Sequence, residues 1–139
     1  MQLQTIVPIK PLENKIDYHS KIVSVGSCFA VNMAQRFQQF QFQQAVNSFG
    51  ILFHPVAIAR LIDFAVENKT FTEEDVFLHN EIWSSFDAHS DLNELEQEDI
   101  IDTLNAKIQV FKNHITEASH VILTFGTSWV YKKKKKNQL

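Results

Sequence analysis

A hydroxyl and a thiol stand side by side where a short apolar run gives way to a helical pattern. Ser27 and Cys28 follow Gly26 at the end of the β-branched run 22–25, and Cys28 is the only cysteine in the chain. A tight turn between a strand and a helix exposes a nucleophile, and the helix N-terminus stabilises negative charge on it or on a nearby oxyanion. The arrangement is typical of hydrolases that attack a carbonyl group.

Two neighbouring side chains compete for the role of nucleophile. A thiolate at a helix N-terminus is stabilised, attacks carbonyls well and needs less help from a base than a serine does. The plainer alternative is that Cys28 packs as a small buried hydrophobe. For Ser27 the plainer alternative is an N-cap of the helix that follows. We favour Cys28 as the nucleophile and keep Ser27 as the second candidate.

The elements that position this turn follow from the hydrophobic periodicity. Apolar runs at 22–25 and 120–125 predict buried strands, and 42–46 is a candidate third strand. A candidate edge strand at 3–7 lies in an irregular N-terminal arm. Helices are predicted over 29–40, 56–66 and 96–118, and the second of them has Pro55 in its first turn.

Each predicted helix has an expected apolar side. The helix at 56–66 is apolar nearly all the way round, so we expect it to be well buried. The helix at 29–40 should turn these residues inward: Met33, Ala34, Phe37 and Phe40. The long helix should bury one stripe, which consists of Ile100, Ile101, Leu104, Ile108, Phe111 and Ile115.

The order of strands and helices predicts an α/β fold with right-handed crossovers. In such sheets the ligand site lies beyond the carboxyl ends of the strands. The glycines fit that rule, because Gly26 and Gly126 end predicted strands and Gly50 lies in the loop after the candidate third strand. We therefore expect these glycines to mark the site.

The stretch 78–89 alternates between polar and apolar residues. With a period of two, one face carries His79, Glu81, Trp83, Ser85, Asp87 and His89. The spacing of its carboxylates and imidazoles matches no known zinc pattern, so we predict no metal. Trp83 and Asp87 could instead contact a sugar, and the plainer alternative is a hairpin with one solvent face. His54 could face the same rim as Gly50, although a capped loop residue is its plainer role.

Composition limits the class of protein. The chain has 139 residues, 45% of them hydrophobic and 12% aromatic, which suits one domain with a core. A net charge of −3 gives no reason to expect nucleic acid or an anionic membrane as a partner. No apolar run reaches the ~20 residues of a membrane helix, and no secretory signal is evident. With a single cysteine, which can form no internal disulfide, we expect a soluble, cytoplasmic protein.

Four blocks of sequence resemble the GSCFA-domain proteins. They are Gly-Ser-Cys-Phe-Ala at 26–30, and the stretches 46–56, 77–90 and 123–131, in the order of that family. The family is similar to the SGNH/GDSL hydrolases, which cleave esters, often acyl groups on sugars or lipids. The resemblance therefore implies a flavodoxin-like, SGNH-type three-layer α/β/α sandwich, a small-molecule or saccharide ester as substrate, and no cofactor.

The resemblance also implies roles for individual residues. On strict register Cys28 takes the place of the nucleophile, with Ser27 before it. Oxyanion or binding positions would be Gly26, Gly50, Gly126, Thr127 and Ser128, although the usual asparagine of the third block is absent. Substrate contacts would involve Asn47, His54, Trp83, Asp87 and His89.

The domain division follows from the extent of the resemblance. We expect an N-terminal arm at 1–20, the N-terminal half of a GSCFA-like domain at 21–131, and a Lys-rich tail at 132–139 that reflects truncation or a shifted reading frame. The family's base element, Asp-x-x-His, does not occur in these residues. We therefore expect an inactive form of an esterase. The alternatives are a module that binds a saccharide or acyl carrier without turnover, and a fragment with no function of its own.

Overall fold

The structure, a computed structural model, describes residues 8–11 and 13–129. The candidate edge strand at 3–7 and the Lys-rich tail at 132–139 lie outside the described residues.

Three of the five strands in the described part of the chain form a parallel sheet. In chain order the strands are β1 (Lys21–Gly26), β2 (Gln43–Val46), β3 (Phe77–His79), β4 (Ile82–Ser84) and β5 (His120–Thr124). The parallel sheet has the order β2–β1–β5, and β3 and β4 pair separately as an antiparallel hairpin. The central strand of this sheet is β1, which lies between β2 and β5. This order is compatible with a flavodoxin-like core. The predicted α/β class is confirmed.

Helices cover both faces of the sheet. They are α1 (Cys28–Gln39), α2 (Pro55–Val66) and α3 (Gln97–Glu117). Val23 and Val25 of β1 belong to the main core cluster together with buried residues of α2 and α3. The alternate residues of β1, Ile22 and Ser24, are also buried but lie on the opposite face, where α1 contacts the strand. The central strand is therefore covered on both sides.

Burial of the helices corrects two expectations. Phe40, the C-cap of α1, is 64% exposed, so the expectation that it turns inward is wrong, whereas Ala34 is buried as expected. The expectation that α2 is well buried is wrong: Ile58, Leu61 and Ala65 are buried, whereas Val56 and Val66 at its ends are exposed. The predicted stripe of α3 is confirmed by four fully buried residues, Ile100, Leu104, Ile108 and Phe111. Among the helices of the described residues, none has the length and apolar character needed to cross a membrane.

The stretch 78–89 does not present a single polar face. Asn80 and Glu81 both have positive φ and turn the chain back, so that β4 pairs with β3. Trp83 then lies opposite Leu78, and His79 lies opposite Ile82. Cross-strand partners share a face, so the expected alignment of His79 with Trp83 is wrong. The plainer alternative, a hairpin, is confirmed.

The α3 stripe should dominate the stability of this fold. We expect Leu104→Ala, at a fully buried position, to lower the free energy of unfolding by about 2–5 kcal/mol through lost burial and a residual cavity. The control is Val110→Ala on the exposed side of α3, which should change it by less than about 0.5 kcal/mol. Urea unfolding followed by circular dichroism measures both, and equal losses would contradict this packing.

Candidate functional site

The carboxyl ends of the parallel strands bring most of the predicted residues to one edge. Ser27 follows β1, Asn47 follows β2, and Gly126 comes two residues after β5. The chain leaves β1 for β2 on one side and later returns to β5 on the other side of β1. A crevice at such a reversal of strand order is the usual ligand site of open α/β sheets.

Gly26 allows the end of β1 to lie against β5. Its φ is 144°, and a Cβ at this position would lie 2.1 Å from the carbonyl oxygen and 2.4 Å from Oγ1 of Thr124. A side chain would therefore force the two strands apart and strain the backbone. This is a steric reason for glycine that holds whatever the turn does chemically.

The main-chain N–H groups of the turn donate hydrogen bonds to Asn47, which follows β2, and to Thr124, which ends β5. The Gly26 N–H donates to Oδ1 of Asn47 at 2.9 Å. The Ser27 N–H donates to both the carbonyl oxygen and Oγ1 of Thr124, at 3.1 and 2.9 Å. The turn is thus fixed from the β2 side and from the β5 side at once. We call residues 26–28 the nucleophile turn.

The two candidate nucleophiles differ in their surroundings. Ser27 is the N-cap of α1, because its Oγ accepts a hydrogen bond from the Phe29 N–H at 3.3 Å. The same Oγ lies 3.2 Å from Oγ1 of Thr124. Cys28 is the first residue of α1, and its thiol is free and exposed. The plainer role expected for Ser27 is therefore present, whereas Cys28 is not a buried hydrophobe.

Asn47 links β2 to the nucleophile turn and carries an unpaired donor. It has a φ of 44°, a conformation that asparagine tolerates better than most residues. Its main-chain N–H donates to the Ser24 carbonyl at 3.0 Å. Because Oδ1 accepts from Gly26, the other amide atom is the donor Nδ2, which is buried with no hydrogen-bond partner in the described part of the chain.

The structure brings Gly50 and His89 together beside this edge. The His89 N–H donates to the Phe49 carbonyl at 3.0 Å, and a Cβ on Gly50 would lie 2.3 Å from the His89 Cβ. The Gly50 N–H is already bonded to the Asn47 carbonyl at 2.8 Å. His89 Nδ1 accepts from the Asp91 N–H and lies 3.1 Å from its carboxylate. Both residues are therefore parts of a packed loop contact.

His54 ties the segment after β5 to the start of α2. Its Nδ1 accepts from the Val56 N–H at 3.1 Å and caps α2, so Nε2 is the nitrogen that donates to the Ser128 carbonyl at 2.9 Å. The Gly126 N–H donates to the Phe53 carbonyl at 2.9 Å. The Oγ1 of Thr127 accepts from the Trp129 N–H at 3.1 Å. Both nitrogens of His54 are thus engaged, which agrees with its plainer role as a capped loop residue.

The two residues expected to contact a sugar both have partners within the protein. Trp83 packs against the main core and pairs through its backbone with Glu94. Asp87 forms a two-point ion pair with Arg60, at 3.1 and 3.2 Å. In residues 8–11 and 13–129, no three histidine, cysteine or acidic side chains are grouped so that they could hold a metal ion.

Comparison with known proteins places the chain in a family. A family model, described as the GSCFA family, matches residues 21–139. The chain belongs to the GSCFA family. No curated protein and no solved structure matches it. For this GSCFA chain, the roles of individual residues therefore rest on its own geometry.

Sequence reasoning missed the contacts of Thr124 with the nucleophile turn of the GSCFA chain. Ser27, the partner of Thr124, is 97 positions away in the sequence. A threonine at the end of a predicted strand carries no local signal of such a contact. The signal lies in Gly26, because a glycine that ends a central strand implies a close neighbour whose identity only the strand order reveals.

The Asn47 contact should stabilise the GSCFA chain measurably. We expect Asn47→Ala to lower the free energy of unfolding by about 1–3 kcal/mol. The substitution removes the hydrogen-bond acceptor of the part-buried Gly26 N–H and strains a backbone with positive φ. Asn47→Asp keeps an acceptor and tolerates this φ, so it should lose less. Urea unfolding of both variants tests the contact, and equal losses would show that the hydrogen bond to Gly26 is unimportant.

Asp87 gives the GSCFA chain a predictable pH dependence. Burial raises the pKa of its carboxyl above the usual 3.8, although the Arg60 charge opposes this. The folded state then holds the proton more tightly than the unfolded chain. The resulting stability is fully present below pH 3.8 and is lost as the pH rises through the raised pKa. Asp87→Asn should remove this decline in chemical-denaturation curves recorded over that range.

Asp75 provides a control of opposite sign. Burial opposes its ionisation, but hydrogen bonds from Lys69 and Thr72 and the Lys69 charge outweigh burial and hold the pKa of the Asp75 carboxyl below 3.8. Its contribution is therefore present above pH 3.8 and is lost as the pH falls through the lowered pKa. Asp75→Asn should reduce the loss of unfolding free energy at acid pH and leave the dependence on pH above 3.8 unchanged. A profile that neither variant alters would contradict both assignments.

Proposed function

We propose that this GSCFA chain carries the nucleophile of an SGNH-like esterase, with a flavodoxin-like three-layer α/β/α sandwich, acting on an ester of the acylated-saccharide class. The observation that supports it most is the free, exposed thiol of Cys28 on the first residue of α1, directly beyond the carboxyl end of the central strand. A helix N-terminus favours both a thiolate and the oxyanion that forms when the thiolate attacks a carbonyl.

Cys28 is the proposed nucleophile, and the neighbouring Ser27 does not attack the substrate. The Ser27 hydroxyl is engaged with the Phe29 N–H and lies beside Thr124, whereas the Cys28 thiol is open to solvent. In the proposed step the thiolate sulfur forms a bond to the acyl carbon, the ester C–O bond breaks, and the departing alkoxide takes a proton from solvent water to leave as the alcohol.

The main-chain N–H of Cys28 is the proposed oxyanion donor. The first N–H groups of a helix have no partner within it, and this one has no acceptor among the described residues. The N–H groups of Gly50 and Gly126 are already bonded to carbonyls. The hydroxyl of Thr127 accepts from Trp129, so its proton is available as a second donor.

The general base of the proposed reaction is not assigned to a described residue. His54 uses both ring nitrogens. The His89 Nδ1 accepts from the Asp91 N–H, so the neutral His89 ring carries its proton on Nε2 and cannot accept another proton there. A thiolate can attack an activated ester without a base, but water needs one to release the acyl group. We therefore expect a stable acyl-cysteine and turnover lower by on the order of a thousandfold than a complete triad gives.

Acyl transfer to Cys28 tests this proposal directly. After incubation with p-nitrophenyl acetate near neutral pH, peptide mapping by mass spectrometry should find one acetyl group on Cys28. Cys28→Ala should lose the label, and Ser27→Ala should keep it. An acetyl group on Ser27, or labelling that Cys28→Ala does not change, would overturn the assignment of the nucleophile.

A binding module that lacks turnover is the second candidate. The engagement of both His54 nitrogens favours it, because the histidine at this edge acts as a structural link. Such a module would bind an acylated saccharide, measured by calorimetry, and leave Cys28 unlabelled by the activated ester. A fragment without function would lack cooperative unfolding. The cytoplasmic location expected from the single cysteine stays a prediction.

A further inference from the structure

Thr124 contacts the nucleophile turn through three separate interactions. Its carbonyl oxygen and its Oγ1 both accept from the Ser27 N–H, and its Oγ1 lies 3.2 Å from the Ser27 Oγ. The absent side chain of Gly26 leaves the space that brings Thr124 this close. Because the carbonyl is a backbone group, only the Oγ1 contacts depend on residue 124 being a threonine or serine.

We infer that Thr124 is a positioning residue of the proposed reaction, and that its hydroxyl makes Ser27 a hydrogen-bond donor to negative charge at the nucleophile turn. The inference rests on the proposed function and extends it to a residue at the end of β5. Thr124 would act through Ser27, without touching the reacting atoms itself. Ser27 would then serve Cys28 instead of competing with it.

The protons of the two hydroxyls give the physical basis. Each hydroxyl has one proton to donate and two lone pairs that accept. Either hydroxyl can donate across the 3.2 Å contact between the Thr124 Oγ1 and the Ser27 Oγ. In the arrangement we infer, the Thr124 Oγ1 accepts from the Ser27 N–H and donates its own proton to the Ser27 Oγ. The Ser27 Oγ also accepts from the Phe29 N–H, so both of its lone pairs are then used.

The consequence is a directed proton on Ser27. In this arrangement both lone pairs of the Ser27 Oγ are occupied, so its O–H points away from Thr124 and from the Phe29 N–H and is available to donate elsewhere. Cys28 is the next residue, at the same helix N-terminus. A thiolate or an oxyanion formed there would be a charged acceptor for this O–H, and hydrogen bonds to charged acceptors are stronger than those between neutral groups.

A matched pair of variants isolates the Thr124 hydroxyl. Thr124→Val keeps the β-branched shape and the carbonyl contact but removes Oγ1, whereas Thr124→Ser keeps the hydroxyl. The first readout is the rate at which iodoacetamide alkylates Cys28 as a function of pH. We expect Thr124→Val to slow alkylation by about three- to tenfold near neutral pH. The rates should converge at high pH, and Thr124→Ser should follow the wild type.

The route through Ser27 has its own test. Ser27→Ala should slow alkylation as Thr124→Val does, and the double variant should be no slower than Ser27→Ala alone, because one interaction accounts for both effects. A general loosening of the fold would instead change the rate at every pH. Additive effects, or a Thr124→Ser variant as slow as Thr124→Val, would overturn the inference and indicate a packing role for the threonine methyl group.

Hydrogen exchange at the Phe29 amide separates this inference from the proposed function. Thr124→Val should speed exchange at Phe29 several-fold, because the Ser27 Oγ loses the partner that holds it as a cap, and Thr124→Ser should restore protection. If exchange responds but wild-type Cys28 reacts like an ordinary exposed thiol, the positioning role stands and the proposed nucleophile fails. If Cys28 is activated but Thr124→Val changes neither readout, the inference fails alone.

Discussion

The close approach of β1 to β5 at Gly26 is the constraint on which the rest of the edge depends. The Thr124 carbonyl occupies the place where a side chain at residue 26 would be, so the two strands can share hydrogen bonds as far as the Ser27 amide. This contact sets where α1 begins, because Ser27 is both the last residue held by β5 and the cap of the helix. The position of the thiol follows from that start.

The second support comes from β2 and makes the turn rigid from both sides. Asn47 holds the Gly26 amide through its side chain, where a main-chain carbonyl would otherwise continue the parallel ladder. The same residue has a buried amide donor with no partner among residues 8–11 and 13–129, and unpaired buried donors are rare because they are energetically costly. Two strands thus fix a turn whose only exposed reactive group is Cys28. Fixed geometry of this kind is what a nucleophile needs in order to attack without reorganisation.

Local patterns predicted the elements, and long-range contacts decided the rest. The three parallel strands, the three helices and the stripe of α3 follow from periodicity, since each reflects contacts that repeat along one element. The single polar face predicted for 78–89 was wrong because Asn80 and Glu81 adopt positive φ and turn the chain, although neither is a glycine. The polar alternation continues through this turn and conceals it. The exposure of Val66 depends on which neighbours cover α2, and the role of Thr124 depends on strand order. Neither is encoded in a sequence window.

The most direct test compares Cys28 in the folded and the unfolded chain. Folding normally slows the reaction of a cysteine by restricting access, so a faster reaction in the folded state has to come from stabilisation of the thiolate by the turn. The rate of alkylation by iodoacetamide near neutral pH, measured in buffer and in concentrated urea, gives this comparison with one thiol and no ambiguity of site. The account predicts a faster reaction in the folded chain. An equal or slower reaction would contradict an activated nucleophile at this turn.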